Sequence, residues 1–247
     1  MKSNNSFYNS VSVYYDKMID FDSSLKKRKE LLSGFITPKI NLVADVGCGT
    51  GVDSISLSQL GLEVTSFDPS IEMIGIAKTN SEKYNCKINF NNFAVDDIPK
   101  TFYNKFDMVV SLGNTLANIP FGKIEISVAK LFKMLKKDGS VLIQILNYEK
   151  ILKEKERIVN ITKKNGEYFI RFYDFGKKDL TFNILRFNAD QTTKKDLIST
   201  KIFPYISKEL KKVFKETGFK KIELFGSMDK KVFDLKSSND LILYAEK

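Results

Sequence analysis

An apolar strand that runs directly into a glycine-rich loop is the feature that most restricts the fold of this 247-residue chain. Residues 43–51, VADVGCGTG, contain three glycines at alternate positions, and residues 52–61 then show helical spacing. A second strand, residues 63–68, follows at once and ends in Asp68. Strand, glycine turn, helix and strand at this spacing indicate parallel strands joined by a right-handed crossover.

The alternation of strand and helix signals continues through the first 150 residues. The further elements predicted there are helices at residues 70–85 and 122–139 and strands at residues 87–93, 106–113 and 140–147. The helix predicted at 122–139 ends at a glycine. Near the C-terminus, residues 207–219 predict a helix, and two final strands follow it. These signals favour an α/β protein built on a Rossmann-like, mostly parallel sheet.

Two parts of the chain depart from this alternation. Residues 155–204 contain successive strand signals with turn residues between them, which predict an antiparallel β insert. Residues 1–35 are rich in aromatic side chains and predict a helical lid ahead of the core. The expected division is a lid at 1–35, a core made of 36–154 and 205–247, and an insert at 155–204 that covers the substrate pocket.

The position and spacing of the glycine loop predict its ligand. Ligands of a doubly wound sheet lie beyond the carboxyl ends of the strands, where a carboxylate such as Asp68 suits two ribose hydroxyls. Dinucleotides favour a G-x-G-x-x-G loop, whereas Gly47, Gly49 and Gly51 follow the spacing G-x-G-x-G. Asp45, just before them, would repel a pyrophosphate but suits the ammonium of an amino acid. A ribose joined to an amino acid indicates S-adenosylmethionine, and an NAD enzyme is the discounted alternative.

Several stretches of the chain resemble a known family. DVGCGTGVDSISL and VTSFDPSIEMI resemble the first motifs of class I S-adenosylmethionine-dependent methyltransferases. CGTGVDSI, VTSFD, SLGNTLANIP and NYEKIL resemble, in the same order, stretches of the glycine N-methyltransferase group. The resemblance extends over about residues 40–155. It implies a seven-stranded, mostly parallel sheet whose last strand is antiparallel, with a helical lid and a β insert.

The resemblance also implies site residues. Asp45 would face the methionine amino group, Asp68 would hold the ribose, and Met73 would pack near the adenine. Asn114 would lie beside the methyl acceptor. The cofactor-binding residues predicted in this way are Asp45, Gly47, Cys48, Gly49, Gly51, Asp68, Pro69, Met73, Asn92, Phe93, Ala94, Leu112 and Gly113. The predicted catalytic residues are Asn114, Tyr148 and Tyr15.

A cation of the lid belongs to the expected cofactor site, whereas two aspartates after the third strand do not. Arg28, or a nearby lysine of the lid, would meet the cofactor carboxylate. Asp96 and Asp97 come slightly too late for the acid that many class members carry after the third strand. A solvated turn is therefore the favoured interpretation of these two aspartates.

The composition limits which catalytic groups and which methyl acceptors are expected. The chain has no histidine and two cysteines, so no histidine base, no metal site and no disulfide framework are expected. An amine acceptor can lose its proton to water, whereas an oxygen acceptor usually needs a base or a metal. A small-molecule amine is thus the favoured acceptor, and small-molecule O-methylation remains the alternative.

The net charge of +10 keeps an RNA or protein substrate as a further alternative. Against nucleobase methylation, LGNT stands after the fourth strand in place of an NPPY- or DPPY-type tetrapeptide. No apolar run approaches the roughly 18 residues of a membrane span. We therefore expect a cytoplasmic protein without membrane or nucleic-acid partners, and leave open a homo-oligomer.

One position departs from the glycine-methylating enzymes. Residues 146–148 read LNY, whereas the glycine-methylating enzymes that this stretch resembles carry RNY. Leu146 therefore stands in place of the arginine that would bind the substrate carboxylate. Leucine cannot pair with an anion. Glycine is therefore expected to be a poor substrate, and a larger or uncharged acceptor is favoured.

Overall fold

The computed structural model describes residues 4–164, 166–188 and 190–247. The helices and strands in chain order are α1 (Asn4–Ile19), α2 (Phe21–Ser33), β1 (Leu42–Val46), α3 (Val52–Ser58), β2 (Glu63–Phe67), α4 (Ile71–Lys83), β3 (Ile88–Asn91), β4 (Phe106–Ser111), α5 (Ile124–Met134), β5 (Leu135–Leu146), α6 (Tyr148–Glu154), β6 (Ile158–Lys164), β7 (Glu167–Phe175), β8 (Leu180–Asn188), β9 (Gln191–Ile202), α7 (Ser207–Thr217), β10 (Lys220–Phe225) and β11 (Asp240–Glu246). Within those three ranges, no helix combines the length and apolar character needed to span a membrane.

The main sheet has seven strands in the order β10-β11-β5-β4-β1-β2-β3. Strands β1 to β5 pair with one another in parallel, whereas β11 is antiparallel to both β5 and β10. Side chains on both faces of β1 and β4 are buried, which explains their continuous apolar runs. The predicted α/β fold class, with its last strand antiparallel, is therefore confirmed.

The topology creates a crevice at β1. This strand pairs with β2 on one side and with β4 on the other, and the connection from β1 to β2 runs in the opposite direction across the sheet from the connection of β4 to β5. Loops that follow the carboxyl ends of β1 and β4 consequently diverge and leave space between them. The glycine loop lies at this point, between β1 and α3.

A second sheet has four antiparallel strands in the order β6-β7-β8-β9. Helix α1 lies against this sheet and against α4, and the three elements share one apolar cluster. Phe7 and Val11 of α1, Met73 of α4, and Phe169 and Ile184 of the insert sheet belong to that cluster. The antiparallel insert is confirmed, and its role as a substrate cover stays a prediction.

The boundary between α5 and β5 differs from the prediction. The helix ends at Met134, and β5 begins at Leu135 rather than after the glycine at position 139. The backbone carbonyls of Lys133 and Met134 accept hydrogen bonds from the chain that enters β4, which stops the helix there. Residues 136–139 then form a bulge in the β4–β5 pairing, and Gly139 is part of that bulge instead of a helix cap.

Candidate functional site

A cavity of about 230 Å³ opens beyond the carboxyl ends of β1, β2 and β4. We call it the main cavity. The glycine loop and the turn after β2 line one side of it, and residues 93–96 after β3 line another. Residues between 113 and 123, which follow β4, and Tyr8 and Tyr15 of α1 complete the wall. The lid helix thus contributes aromatic side chains to a space that the core alone leaves open.

The glycine loop is tied to the neighbouring strand. The backbone amides of Gly47 and Cys48 donate to the carbonyl oxygen of Phe67 at 2.7 and 3.1 Å. A Cβ on Gly47, whose φ is +82°, would lie 2.3 Å from the side chain of Thr115. Gly49 has a φ of +53° but nothing within 4 Å of its Cβ position, so its open face can approach a ligand closely.

Asp68 is buried at the end of β2 and is held by main-chain donors. Its carboxylate accepts hydrogen bonds from the amides of Gly49 and Ser70, both at 2.9 Å. The Asn92 side chain donates to the Asp68 carbonyl oxygen at 2.8 Å. Burial raises the pKa of Asp68 to about 6, although the two amide donors oppose that shift. The carboxylate is therefore fixed in place and would gain from further donors, such as hydroxyl groups.

Asp45 lies behind the loop and carries a more strongly perturbed carboxyl group. Its Oδ2 accepts a hydrogen bond from the Ser54 hydroxyl at 2.6 Å. Burial, with the nearby Asp53 carboxylate, raises the pKa of Asp45 to about 8. Arg28 opposes this shift and forms an ion pair with Asp53 at 2.8 Å. A cation placed beside the Asp45 carboxyl would favour its ionised form, so the loop suits a cationic ligand.

A second pocket, of about 180 Å³, lies on the other side of the loop. We call it the loop pocket. Arg28, Asp53 and Leu112 contribute to its lining. The residues that line both this pocket and the main cavity are Tyr15, Gly47, Gly49 and Gly113. The two spaces therefore meet at the glycine loop and together offer an elongated site.

Asn114 and Tyr148 are bonded to each other. The Asn114 amide nitrogen donates to the Tyr148 hydroxyl at 2.7 Å, and Asn114 Oδ1 accepts from the Leu146 backbone amide at 3.1 Å. Tyr148 is fully buried. Among the described residues, neither lines the main cavity or the loop pocket. The pair joins the end of β4 to the end of β5, and its catalytic role stays a prediction.

The structure brings most of the predicted site residues together around the two spaces. Those that line the main cavity are Tyr15, Gly47, Gly49, Asp68, Pro69, Met73, Phe93, Ala94 and Gly113. Cys48 and Leu112 line the loop pocket. Asp45, Gly51, Asn92, Asn114 and Tyr148 lie behind these linings and support them through hydrogen bonds or packing.

Other residues at the main cavity were missed by the sequence-based prediction. Tyr8 donates from its hydroxyl to Asn118 Oδ1 at 3.1 Å, and both residues line the cavity. Asp96, expected in a solvated turn, lines the rim and pairs with Lys123 at 2.7 Å. The stretch NTLANIP after β4 is the signal that points to this wall, because it follows a strand end at the crevice.

Comparison with known proteins identifies the core. A family model described as a methyltransferase domain matches residues 43–139. Human glycine N-methyltransferase is 32% identical over 124 residues, which cover 44% of this chain and 42% of that protein. The ubiquinone biosynthesis O-methyltransferase of Hydrogenovibrio crunogenus is 26% identical over 176 residues, which cover 68% of this chain and 72% of that protein. The chain spans less than half the length of the glycine N-methyltransferase relatives.

The fold agrees with this comparison along nearly the whole chain. A crystal structure of an S-adenosylmethionine-dependent methyltransferase from Clostridium acetobutylicum superimposes with a TM-score of 0.81 at 17% identity. The superposition covers 97% of this chain and 98% of that one. The lid helices and the β insert therefore belong to a known arrangement of this fold.

Proposed function

Since this chain carries a class I S-adenosylmethionine-dependent methyltransferase domain, we propose that it methylates a small-molecule acceptor, preferably at an amine nitrogen. The observation that carries the proposal is the junction of the main cavity and the loop pocket at Gly47, Gly49 and Gly113. An elongated ligand can lie across this junction, with a nucleoside on one side and an amino acid on the other.

The residues at the junction fit S-adenosylmethionine. Asp68, fixed by two amide donors, would accept from the ribose hydroxyls. Met73 and Phe93 provide apolar surface for the adenine in the main cavity. Asp45 is buried behind the glycine loop and would meet the ammonium. Arg28 lines the loop pocket and would meet the carboxylate.

When bound, the cofactor supplies an electrophilic methyl group, and the protein supplies alignment and electrostatics. Tyr8 and Tyr15 line the main cavity, and burial raises the pKa of each phenol above its ordinary value. Both phenols therefore stay neutral near pH 7 and serve as hydrogen-bonding groups instead of bases. Their rings and oxygens suit an amine that loses its proton to water.

The test is binding followed by a transfer assay. Calorimetry should show binding of S-adenosylmethionine and S-adenosylhomocysteine, and no binding of NAD. Labelled S-adenosylmethionine should then transfer its methyl group to at least one member of a panel of amines, phenols and RNA. Binding of NAD without S-adenosylmethionine would refute the cofactor assignment, and label found only on phenols or RNA would refute the amine assignment.

O-methylation is the second candidate function. The similarity to the ubiquinone biosynthesis O-methyltransferase favours it, because that match covers more of both proteins than the human glycine N-methyltransferase match does. The absence of histidine from the chain argues for nitrogen, since a phenol or alcohol usually requires a base. The phenols of the panel distinguish the two functions directly.

A further inference from the structure

In the part of the chain that the structure describes, one arginine lacks the carboxylate partner that the other arginines have. The sequence contains four arginines, and three form ion pairs with carboxylates. The pairs are Arg28 with Asp53, Arg157 with Asp174, and Arg186 with Glu167 and Asp196. Arg171 has no carboxylate within ion-pair distance among the described residues. Its Nε donates instead to the Asn160 side chain at 2.6 Å.

Arg171 lies on the inner face of the insert sheet. Side chains alternate along β7, so Phe169, Arg171 and Tyr173 point to the same side. Phe169 is buried with its ring 5.5 Å from that of Tyr14, and Tyr173 is buried with its ring 5.5 Å from that of Phe182. The arginine is therefore half-buried between two core aromatic residues, under helix α1.

Helix α1 connects this inner face to the main cavity, because Tyr8 and Tyr15, which line the cavity, pack against the apolar cluster that contains Phe169 and Ile184. Among the described residues, none of β6–β9 lines the main cavity itself. Tyr15 of α1 lines both the main cavity and the loop pocket, and it is an electrostatic neighbour of Arg171. Tyr173, on the same strand, is another such neighbour. Burial lowers the pKa of Arg171, and the charges of these two phenols would oppose that shift. The guanidinium thus lies near Tyr15, whose side chain separates it from the main cavity.

Burial of a cation without a carboxylate partner is unfavourable unless another group accepts its hydrogen bonds. With Nε engaged by Asn160, the two terminal nitrogens of Arg171 remain for a two-pronged contact with a carboxylate. We propose that the methyl acceptor carries a carboxylate and that Arg171 binds it. This inference rests on the proposed function and specifies the substrate class of the same site.

The proposal also bears on Leu146. The Leu146 side chain packs with the core and lines a groove beside Tyr173 that is separate from the main cavity. Because leucine is apolar, position 146 offers no cation to a substrate carboxylate. A carboxylate held by Arg171 of β7 would lie at a different place from one held at position 146 at the end of β5. The proposed acceptor is therefore a carboxylic acid that carries an amino group, with a position of the carboxylate relative to the amine that differs from that in glycine.

The experiment uses matched acid and amide pairs. The probes are β-alanine, γ-aminobutyrate and anthranilate with their carboxamides, measured by calorimetry on protein loaded with S-adenosylhomocysteine. At least one acid should bind roughly tenfold more tightly than its amide. Arg171→Met should abolish that preference, and Arg171→Lys should retain part of it. Arg186→Met, on the same face of the adjacent strand but ion-paired, should keep the preference.

Stability provides a readout that does not depend on the acceptor. Arg171→Met should unfold at an equal or higher urea concentration than the parent, because it removes a half-buried cation that has no carboxylate partner among the described residues. Arg186→Met should unfold at a lower concentration, because it leaves Glu167 without its ion-pair partner. A loss of stability in Arg171→Met as large as that in Arg186→Met would assign Arg171 a structural role and overturn the proposal.

The outcomes separate this inference from the proposed function. Parent protein that does not bind S-adenosylhomocysteine contradicts both. Protein that binds it, but prefers no acid to its amide or retains the preference in Arg171→Met, contradicts only the role of Arg171. Preference for an acid in the parent and in Arg186→Met, lost in Arg171→Met, supports the inference.

Discussion

Replacement of Asp68 by alanine tests the centre of the proposed cofactor site. The carboxylate lies at the end of β2 and accepts hydrogen bonds from the amides of Gly49 and Ser70. In the proposed complex it also accepts from the ribose hydroxyls. The substitution therefore removes contacts to the ligand and the anchor of the glycine loop at the same time.

The magnitudes of the two effects differ. Loss of hydrogen bonds to a charged group costs about 1.5–3 kcal/mol, so S-adenosylhomocysteine should bind Asp68→Ala roughly 10- to 150-fold more weakly. The free energy of unfolding should fall by about 1–2 kcal/mol, because two buried amides lose their acceptor. Part of that loss is offset, since burial already raises the pKa of Asp68 to about 6 and disfavours its charge.

The assay is calorimetry with a control variant and a control ligand. Asp96→Ala removes an acid that lines the same cavity but pairs with Lys123, so affinity should change by less than about 1 kcal/mol. A 2′,3′-dideoxy analogue of S-adenosylhomocysteine should bind the parent weakly and should lose little further affinity in Asp68→Ala. Equal losses for both ligands in that variant would show that Asp68 acts only on the loop and would refute the ribose contact.

Three further predictions use other residues of the site. Leu146→Arg should gain glycine turnover in the labelled transfer assay while the parent shows little, and efficient methylation of glycine by the parent would overturn this expectation. Gly47→Ala should lower the free energy of unfolding by about 1–3 kcal/mol in urea titrations, because its Cβ would lie 2.3 Å from Thr115; Gly49→Ala, with open space at its Cβ, should cost less stability. Burial raises the folded-state pKa of Asp45 from 3.8 to about 8, so the folded state keeps a proton that the unfolded state releases. The free energy of unfolding should therefore fall as pH rises from about 4 to 8, and an equally steep fall in Asp45→Asn would contradict the assignment.

Local patterns in the sequence determined the fold class and much of the site. Period-two and period-3.6 spacing marks the strands and helices because each repeat reflects which side chains one element buries. The glycine spacing and Asp68 at a strand end predicted the loop and its ligand because parallel topology brings strand ends together. The lining of the main cavity by Gly47, Gly49 and Asp68 agrees with that expectation.

Tertiary structure alone decided the contacts between distant segments. The bond between Asn114 and Tyr148 joins the ends of two strands, and Thr115 packs against Gly47 across the crevice. No local pattern distinguishes Arg171 from Arg186, yet packing places carboxylates beside the second and Asn160 beside the first. The partners of a side chain depend on which faces are buried against each other, and those faces are set by the packing of α1 and the insert sheet on the core.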